Sequence, residues 1–547
     1  MADDPKQEAI EYHVRRLDAL RTERSEFDTQ WEEAASRVMP ADKNKFFSRG
    51  ADTGRQGQKN TEQQFDATVS LAALRFASVM ESLVTPQGSI WHMLKLLDKT
   101  LQRNRQVRQF FDELNEALYN YRYRPAANFV GNSQQAYLGL GVYGNGVLYI
   151  DKPEQGKGLR YRNVHLGEAY FVENHAGVVD TLYRAYQLSV RDLVEMARVQ
   201  EWVLPEGIAE MVKNPQQADQ KKQILHCVYP RTDYMPGRMD GPGKPFASLY
   251  IYVETKALLK EWGYDSFPYS TARYTQASGE VYGRGPAQWV LPSIKLLNEQ
   301  KKTAIKQGHR TVDPVLLAHD DGNLSNFSMR AGALNTGGIS KDGKRLIDVL
   351  PTGNLAISEK HMEMERAVIN DAFLLSLFQI LIDTPQMTAT EVLERAREKG
   401  MILAPTAGRL QAEWLGTMIE REILLLAAQG LMPKVPPILA QYAVEYRIEY
   451  DNPMSRMARA EKAVGFMRAL SMASEHAKLT GDMRSLDHFA FDRAMPPIMD
   501  INGVPVDWTS TPAEIEAIRA ARAAAAQQQQ MIDAAPAAAS IASTVAG

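Results

Sequence analysis

Two helix-length segments on either side of a glycine-rich insert decide the fold of this chain. The first is PAQWVLPSIKLLNEQKKTAIKQGHR (Pro286–Arg310), and the second is SEKHMEMERAVINDAFLLSLFQIL (Ser358–Leu381). At 1.5 Å of rise per residue, each helix would be roughly 35–38 Å long. Two helices of matched length, joined by an insert that returns near its start, are predicted to lie side by side as an antiparallel hairpin. The polar segment IDTPQMTAT (Ile382–Thr390) follows, and we expect a functional loop there because loops held by a rigid scaffold often carry function.

The composition of the chain limits the classes of protein to which it can belong. Its 547 residues are too many for one core, which predicts several domains or subdomains. The net charge of −3 argues against a general nucleic-acid binder that works by neutralising phosphates. The single cysteine, Cys227, excludes an internal disulfide and a thiolate metal cage within one chain, and its apolar surroundings predict a small core residue.

The sequence carries no signal for a membrane or for secretion. The longest apolar runs fall short of the ~18 residues that cross a bilayer. The N-terminal segment is acidic and then amphipathic, without the apolar stretch of a signal peptide. We therefore expect a protein that is made in a reducing cytosol and has no membrane partner.

The order of periodic segments predicts a mainly helical α+β chain. Helices are expected first, at Gln7–Val38, Phe65–Val84 and Asn104–Tyr123. From about Gly139 the pattern changes to short strands, beginning with a predicted hairpin in GVYGNGVLYIDKP and interrupted by a helix at Ser189–Val199.

After the loop, helical patterns return. A capping box at Thr388–Glu391 predicts a helix to about Lys399, and a second long helix is expected at Arg409–Gln429, with Gly430 ending it. The strand VEYRIEY then precedes helices from Pro453 to His476. The Ala/Gln-rich end, residues 521–547, is predicted to be helical or disordered.

None of the short motifs supports catalysis. Gly139, Gly141 and Gly144 match G-x-G-x-x-G but follow a helix and open a strand, the reverse of a dinucleotide site. The chain has no P-loop, no H-E-x-x-H and no G-x-S-x-G, and the run from His319 to Gly322 is better explained by a tight turn than by a metal site. Glu363 and Glu365 lie two residues apart, on different helix faces. We predict no enzyme activity, no cofactor and no metal.

Basic residues cluster on the first hairpin segment, and two interpretations remain open. The lysines are Lys295, Lys301, Lys302 and Lys306. They either form a solvated face that pairs with Glu359, Glu363 and Glu365 of the second segment, or some of them face DNA phosphates.

An ordered series of short motifs resembles the portal, or head-to-tail connector, proteins of short-tailed bacteriophages. The series covers about residues 10–500 and consists of FDATV (65–69), LVTPQG (83–88), YGRGP (282–286), LPSIKLLN (291–298), DPVLL (313–317) and TATEV (388–392). Each piece is weak alone, but the order and spacing are fairly specific.

The resemblance implies a ring subunit with named parts. These are a wing (1–284), a first stem helix (285–310), a clip (311–357), a second stem helix (358–381), a channel loop (382–390), a segment completing the wing (391–452), a helical crown (453–520) and the tail (521–547). The channel-loop residues would be Thr384, Pro385, Gln386, Met387 and Thr388. This loop has no lysine or arginine, which suits a surface along which DNA slides.

The resemblance also implies a function and a set of partners. Twelve copies would form a ring at one capsid vertex of the virion, assembled in the host cytoplasm. Double-stranded DNA would pass through it, driven by a separate terminase. Tail adaptor, scaffolding, capsid and internal core proteins would be the other partners. The alternatives are a nucleic-acid-processing enzyme or translocase, and another internal or tail protein of the virion.

Overall fold

The protein is represented by a computed structural model. It describes residues 5–47, 57, 60–98, 101, 104–318, 328, 330, 332–334, 338–350, 355–375, 405–440, 445–451, 453–501, 510 and 514–525. The described residues form two compact units, one with residues 5–375 and 405–455 and the other with those from 456 onward. Both helix and strand are present, which confirms the α+β class.

Helices make up most of the regular structure. They are α1 (Pro5–Glu23), α2 (Ser25–Val38), α3 (Thr68–Val84), α4 (Arg105–Arg122), α5 (Phe129–Tyr143), α6 (Val190–Gln200), α7 (Ile208–Met211), α8 (Pro215–Ala218), α9 (Pro286–Trp289), α10 (Leu291–Val312), α11 (Leu355–Ala372), α12 (Gly416–Ala428), α13 (Pro437–Ala440), α14 (Pro453–Thr480) and α15 (Phe491–Ile501). A π-helical turn, Leu410–Leu415, leads into α12, and residues 514–525 are also helical.

In the part of the chain that the structure describes, four antiparallel sheets hold the strands. The strands are β1 (His92–Leu96), β2 (Asn145–Asp151), β3 (Arg160–Asn163), β4 (Ala169–Glu173), β5 (Val179–Ser189), β6 (Lys221–Pro230), β7 (Phe246–Tyr252), β8 (Ala257–Tyr264), β9 (Tyr269–Arg273), β10 (Leu316–Ala318), β11 (Ile347–Val349) and β12 (Tyr446–Tyr450). Their orders are β4-β5-β6-β7-β8, β3-β2-β9, β1-β12 and β10-β11.

The five-stranded sheet is covered by helices on both faces. Successive side chains of a strand point to opposite faces, so Leu225 and Cys227 of β6 meet α1, while Ile224 meets α6. Cys227 is fully buried, as predicted.

Arg24 divides the predicted first helix in two. A single helix over Gln7–Val38 is wrong, because α1 ends at Glu23 and α2 starts at Ser25. The Arg24 guanidinium is buried and donates to the carbonyl oxygens of Leu166 (2.9 Å) and Ala169 (2.6 Å). The predicted end before Pro40 is confirmed.

The glycines predicted to form a hairpin instead end a helix. Gly139 and Gly141 lie inside α5, and Gly144 ends it with φ of +76°. A Cβ on Gly141 would lie 2.7 Å from the Phe76 ring, so this glycine lets α5 approach α3. At Gly141 close helix packing, rather than a turn, requires glycine, and a local turn pattern does not distinguish the two.

Candidate stem hairpin and its anchor

The root of the hairpin is fixed by a close approach of two backbone segments. Gly283 and Gly285 lie against Gly144, where Cβ atoms would come within 2.6–2.7 Å of its backbone atoms. The Asn145 side chain clamps the contact, since its amide nitrogen donates to the Gly283 oxygen (3.0 Å) and its oxygen accepts from the Gly283 N–H (2.8 Å). The YGRGP motif therefore joins the hairpin to the sheet that contains β2.

Helices α10 and α11 pack against each other, which agrees with the predicted hairpin. The short α9, at the start of the first segment, also contacts α11. The strands next to the hairpin, β10 after α10 and β11 before α11, pair antiparallel. The two helices therefore run antiparallel.

Both hairpin helices are anchored on the same short segment before α3. The Asn298 side-chain oxygen, on α10, accepts from the backbone N–H groups of Phe65 (3.0 Å) and Asp66 (3.2 Å). Arg366, on α11, donates to the Asp66 carboxylate at 2.6 and 3.2 Å. Partial burial alone would raise the pKa of Asp66, but hydrogen bonds from Thr68 and Arg366 outweigh it and hold this pKa below the usual value.

Burial along the hairpin is uneven. In α10 the buried residues are Leu291, Ile294, Leu297 and Asn298, all within its first eight positions. Among the described side chains of α11, those of residues 358–372, Met362 and Ile369 are buried, and after the helix Phe373 packs on Phe76 with ring centroids 6.0 Å apart. The half of α10 from Glu299 to Val312 therefore has no buried side chain among the described residues.

The hairpin ends in the two-stranded ribbon of β10 and β11. Leu316 pairs with Val349 and Ala318 pairs with Ile347. The apolar side chains of Leu317 and Val349 are 48% and 46% exposed, and Val312 at the end of α10 is 88% exposed. A two-stranded ribbon alone is only marginally stable in water, so further strands or a partner surface would stabilise it.

The predicted lysines occupy different environments. Lys295 is half-buried and forms an ion pair with Glu33 of α2 at 2.5 Å. Lys302 lies 3.5 Å from Glu299 and 5.6 Å from the centre of the Phe65 ring. Lys301 is half-buried and Lys306 is exposed.

The predicted pairing of these lysines with the second helix is wrong within the described part of the chain. The ion pairs of Lys295 and Lys302 go to Glu33 and Glu299, and none joins a lysine to Glu359, Glu363 or Glu365. A helix spacing that places charges near each other does not determine which neighbours they meet when a third element, here α2, packs alongside.

The second predicted stem helix stops early. α11 ends at Ala372, and Leu374 has a left-handed φ of +60°, so an unbroken helix over Ser358–Leu381 is wrong. The predicted channel loop, Thr384, Pro385, Gln386, Met387 and Thr388, lies outside the described residues, as do His319–Gly322 and the predicted capping box at Thr388–Glu391.

The anchor on Asp66 was missed by sequence reasoning, although one signal was present. Asn298 continues the apolar stripe of Leu291, Ile294 and Leu297, and a polar residue on a buried face requires a hydrogen-bonding partner. Its partners lie more than 230 residues earlier in the chain, a distance that no local pattern spans.

The chemical groups elsewhere in the described residues serve structure. No cluster of three or more histidine, cysteine or acidic side chains could hold a metal there. Charged side chains line a cavity of about 450 Å³. Four of them neutralise each other in ion pairs, Asp42 with Lys45 at 2.5 Å and Glu168 with Arg184 at 3.0 Å. Among the described helices, none combines the length and apolar character required to cross a membrane.

The described residues therefore combine an anchored helix hairpin and its ribbon with a mixed helix-and-sheet body. The family model for bacteriophage head-to-tail connecting proteins matches residues 13–509, and the chain belongs to this family. It is similar to the portal protein of Salmonella phage epsilon15, with 25% identity covering 97% of this chain and 94% of that protein. It is also similar to a probable portal protein of Bordetella phage BPP-1, with 24% identity covering 92% and 89% of the two chains.

Proposed function

We propose that the chain is one subunit of a homo-oligomeric ring at a capsid vertex of the virion, through which double-stranded DNA enters, is retained and leaves. The role is structural rather than enzymatic. The ring docks a terminase during packaging, and later tail adaptor proteins. The membership of the connector family supports this proposal.

The observation that carries the proposal is the uncovered far half of the hairpin. From Glu299 to Val312 no described side chain is buried, although this half contains Ile305, 42% exposed, and Val312. Among the described residues, each strand of the β10–β11 ribbon beyond it has one outer edge without a paired strand. Closed cyclic symmetry places a neighbour on each side of every copy, so a ring would cover both helix flanks and both ribbon edges.

The loop and the lysines have separate roles in this proposal. Thr384, Pro385, Gln386, Met387 and Thr388 would face the DNA as a polar valve. Lys295 is the weakest candidate for a DNA contact because Glu33 neutralises it. Lys301, Lys302 and Lys306 remain candidates for the channel lining.

Electron microscopy of the purified full-length protein tests the ring directly. We expect closed rings with a central channel, viewed down the axis. Monomers and dimers alone, at high protein concentration, would contradict the proposal.

A deletion of residues 384–387 tests the loop separately. Because the loop is not required to join the hairpin helices to the ribbon, we expect rings to assemble normally and DNA packaging or retention to fail. Normal packaging by this variant would remove the assigned role of the loop.

A further inference from the structure

Arg162 is the exception among the charged side chains that line the cavity of about 450 Å³. The others belong to the two ion pairs described above, Asp42 with Lys45 and Glu168 with Arg184. Within the described part of the chain, the side chain of Arg162 forms no hydrogen bond or ion pair. The cavity therefore holds a positive charge that no described carboxylate neutralises.

The walls of the cavity are fixed by buried contacts. They are formed by α5, by strands β2, β3 and β5, by the loop between β3 and β4, and by the segment after α2. Arg24 holds the loop, because its guanidinium donates to two of the loop carbonyl oxygens. Asp42 holds the segment after α2, since its carboxylate accepts from the Tyr143 hydroxyl at 3.0 Å and lies 3.3 Å from Nε2 of His165. A site with walls held in this way loses little entropy when a ligand binds.

Arg184 brings a second guanidinium to the cavity. Its side chain is buried over the ring of Tyr186, and it donates twice to one oxygen of Glu168, Oε2, at 3.0 and 3.1 Å. Partial burial lowers the pKa of Arg162, the positive charge of Arg184 lowers it further, and Glu168 offsets only part of this effect. The two arginines therefore repel each other, and an anion between them would remove the repulsion.

An uncharged donor lines the cavity beside the arginines. Gln135 of α5 accepts from the side-chain amide of Asn163 at 3.3 Å. Its own amide N–H groups have no acceptor among the described residues. Arginine and amide groups together offer only donors, which is the chemistry that recognises an oxyanion and repels a cation.

We propose that this cavity binds a phosphate group between Arg162 and Arg184, either as free phosphate or as a phosphate monoester. A carboxylate has two oxygens, which one arginine can saturate, whereas a phosphate monoester offers three and can serve both arginines. A volume of about 450 Å³ lies within the range of small-molecule sites, roughly 300–1,000 Å³. The site belongs to one chain and does not depend on the proposed ring.

Phosphate titration of the full-length protein tests the site. The melting temperature is measured in inorganic phosphate and in chloride, at matched pH and ionic strength, and phosphate should give the larger stabilisation. In Arg162→Gln, the phosphate concentration that gives half of the effect should rise at least ~10-fold, because charge-assisted hydrogen bonds are lost. The control Arg160→Gln removes an exposed arginine of the same strand that does not line the cavity, and it should respond like wild type.

Glu168→Gln should change the response in the opposite direction. It removes a negative charge from the cavity lining and leaves Arg184 with a neutral partner. The half-saturating phosphate concentration should therefore fall. Because this variant gains affinity, the expected result cannot arise from damage to the fold.

Two further measurements locate the site and identify the source of the phosphate. Phosphate should slow hydrogen exchange in wild-type peptides that cover residues 160–170. AMP that acts at lower concentration than inorganic phosphate would assign a phosphate monoester, and the reverse order would assign free phosphate.

Three outcomes would overturn the proposal. The first is an equal phosphate response in wild type and Arg162→Gln. The second is a stronger response to acetate than to phosphate. The third is slowed exchange that excludes residues 160–170. Failure of the protein to form rings would overturn the proposed function and leave the phosphate site standing.

Discussion

Replacing Asn298 with leucine should release the segment before α3 from the hairpin. Leucine has nearly the same shape but cannot accept the N–H groups of Phe65 and Asp66, which Asn298 binds at 3.0 and 3.2 Å. Each donor left without an acceptor costs about 1–3 kcal/mol, so we take ~2–4 kcal/mol for two that shared one oxygen. At 1.4 kcal/mol per factor of ten, the local opening equilibrium rises roughly 30- to 700-fold.

Hydrogen exchange measured by mass spectrometry on peptides covering residues 60–70 reads this change directly. A local measurement is appropriate because a chain of this size does not unfold in one step. Faster exchange should be confined to this segment and its neighbours on α10. Thr303→Ala, an exposed change on the same helix, is the control and should leave exchange unaltered. Unchanged exchange at Phe65 and Asp66 in Asn298→Leu would refute the anchor.

Three further predictions concern the body that supports the hairpin. Gly144→Ala should lower the melting temperature far more than Gly156→Ala. Both glycines have positive φ, but only at Gly144 would the added Cβ lie 2.5 Å from backbone atoms of another segment. Equal effects would contradict the close approach at the hairpin root. Arg122 and Glu422 form a fully buried ion pair. Replacing either partner alone with an apolar residue should destabilise the fold by about 3–5 kcal/mol, and the double variant Arg122→Met/Glu422→Leu should lose much less stability. Losses that simply add in the double-mutant cycle would refute this coupling. Burial lowers the pKa of His13 to about 4, whereas the unfolded chain keeps the ordinary value of 6.5 and therefore binds the extra proton first. The free energy of unfolding should consequently fall by up to about 3 kcal/mol as the pH drops from 6.5 to 4. His13→Gln should flatten that part of the profile of stability against pH.

Local sequence patterns predicted those elements whose conformation depends on residues close together in the chain. The hairpin helices, α3, α4 and α6 followed from apolar spacing, and Ser189 caps α6 as its position suggested. Features that depend on distant partners were not predictable. Arg24, between α1 and α2, donates from its buried guanidinium to carbonyl groups more than 140 residues later, a contact that no local pattern indicates.

Other errors came from positions where packing overrides composition. Within α3 the apolar residues Leu71 and Leu74 are about half exposed, while Phe76 and Met80 are buried, so apolar character alone does not identify the buried face. Strand β5 was missed because it lies inside the sheet, between β4 and β6, and includes the polar residues Arg184 and Gln187. Strand β1 pairs only with β12, about 350 residues later among the described residues, and no local pattern indicates that partner.

The shared anchor at Asp66 and the ribbon at the far end together fix the length of the hairpin. The level of Asn298 and Arg366 is fixed to the body, while the paired strands β10 and β11 fix the far end. An insertion in one helix alone would shift the ribbon out of register. Seven residues added to both helices would lengthen the hairpin by about 10 Å and turn each face by only ~20°. Related connectors should therefore differ in the length of this hairpin by paired steps of two helical turns, with unpaired insertions confined to the glycine-rich insert.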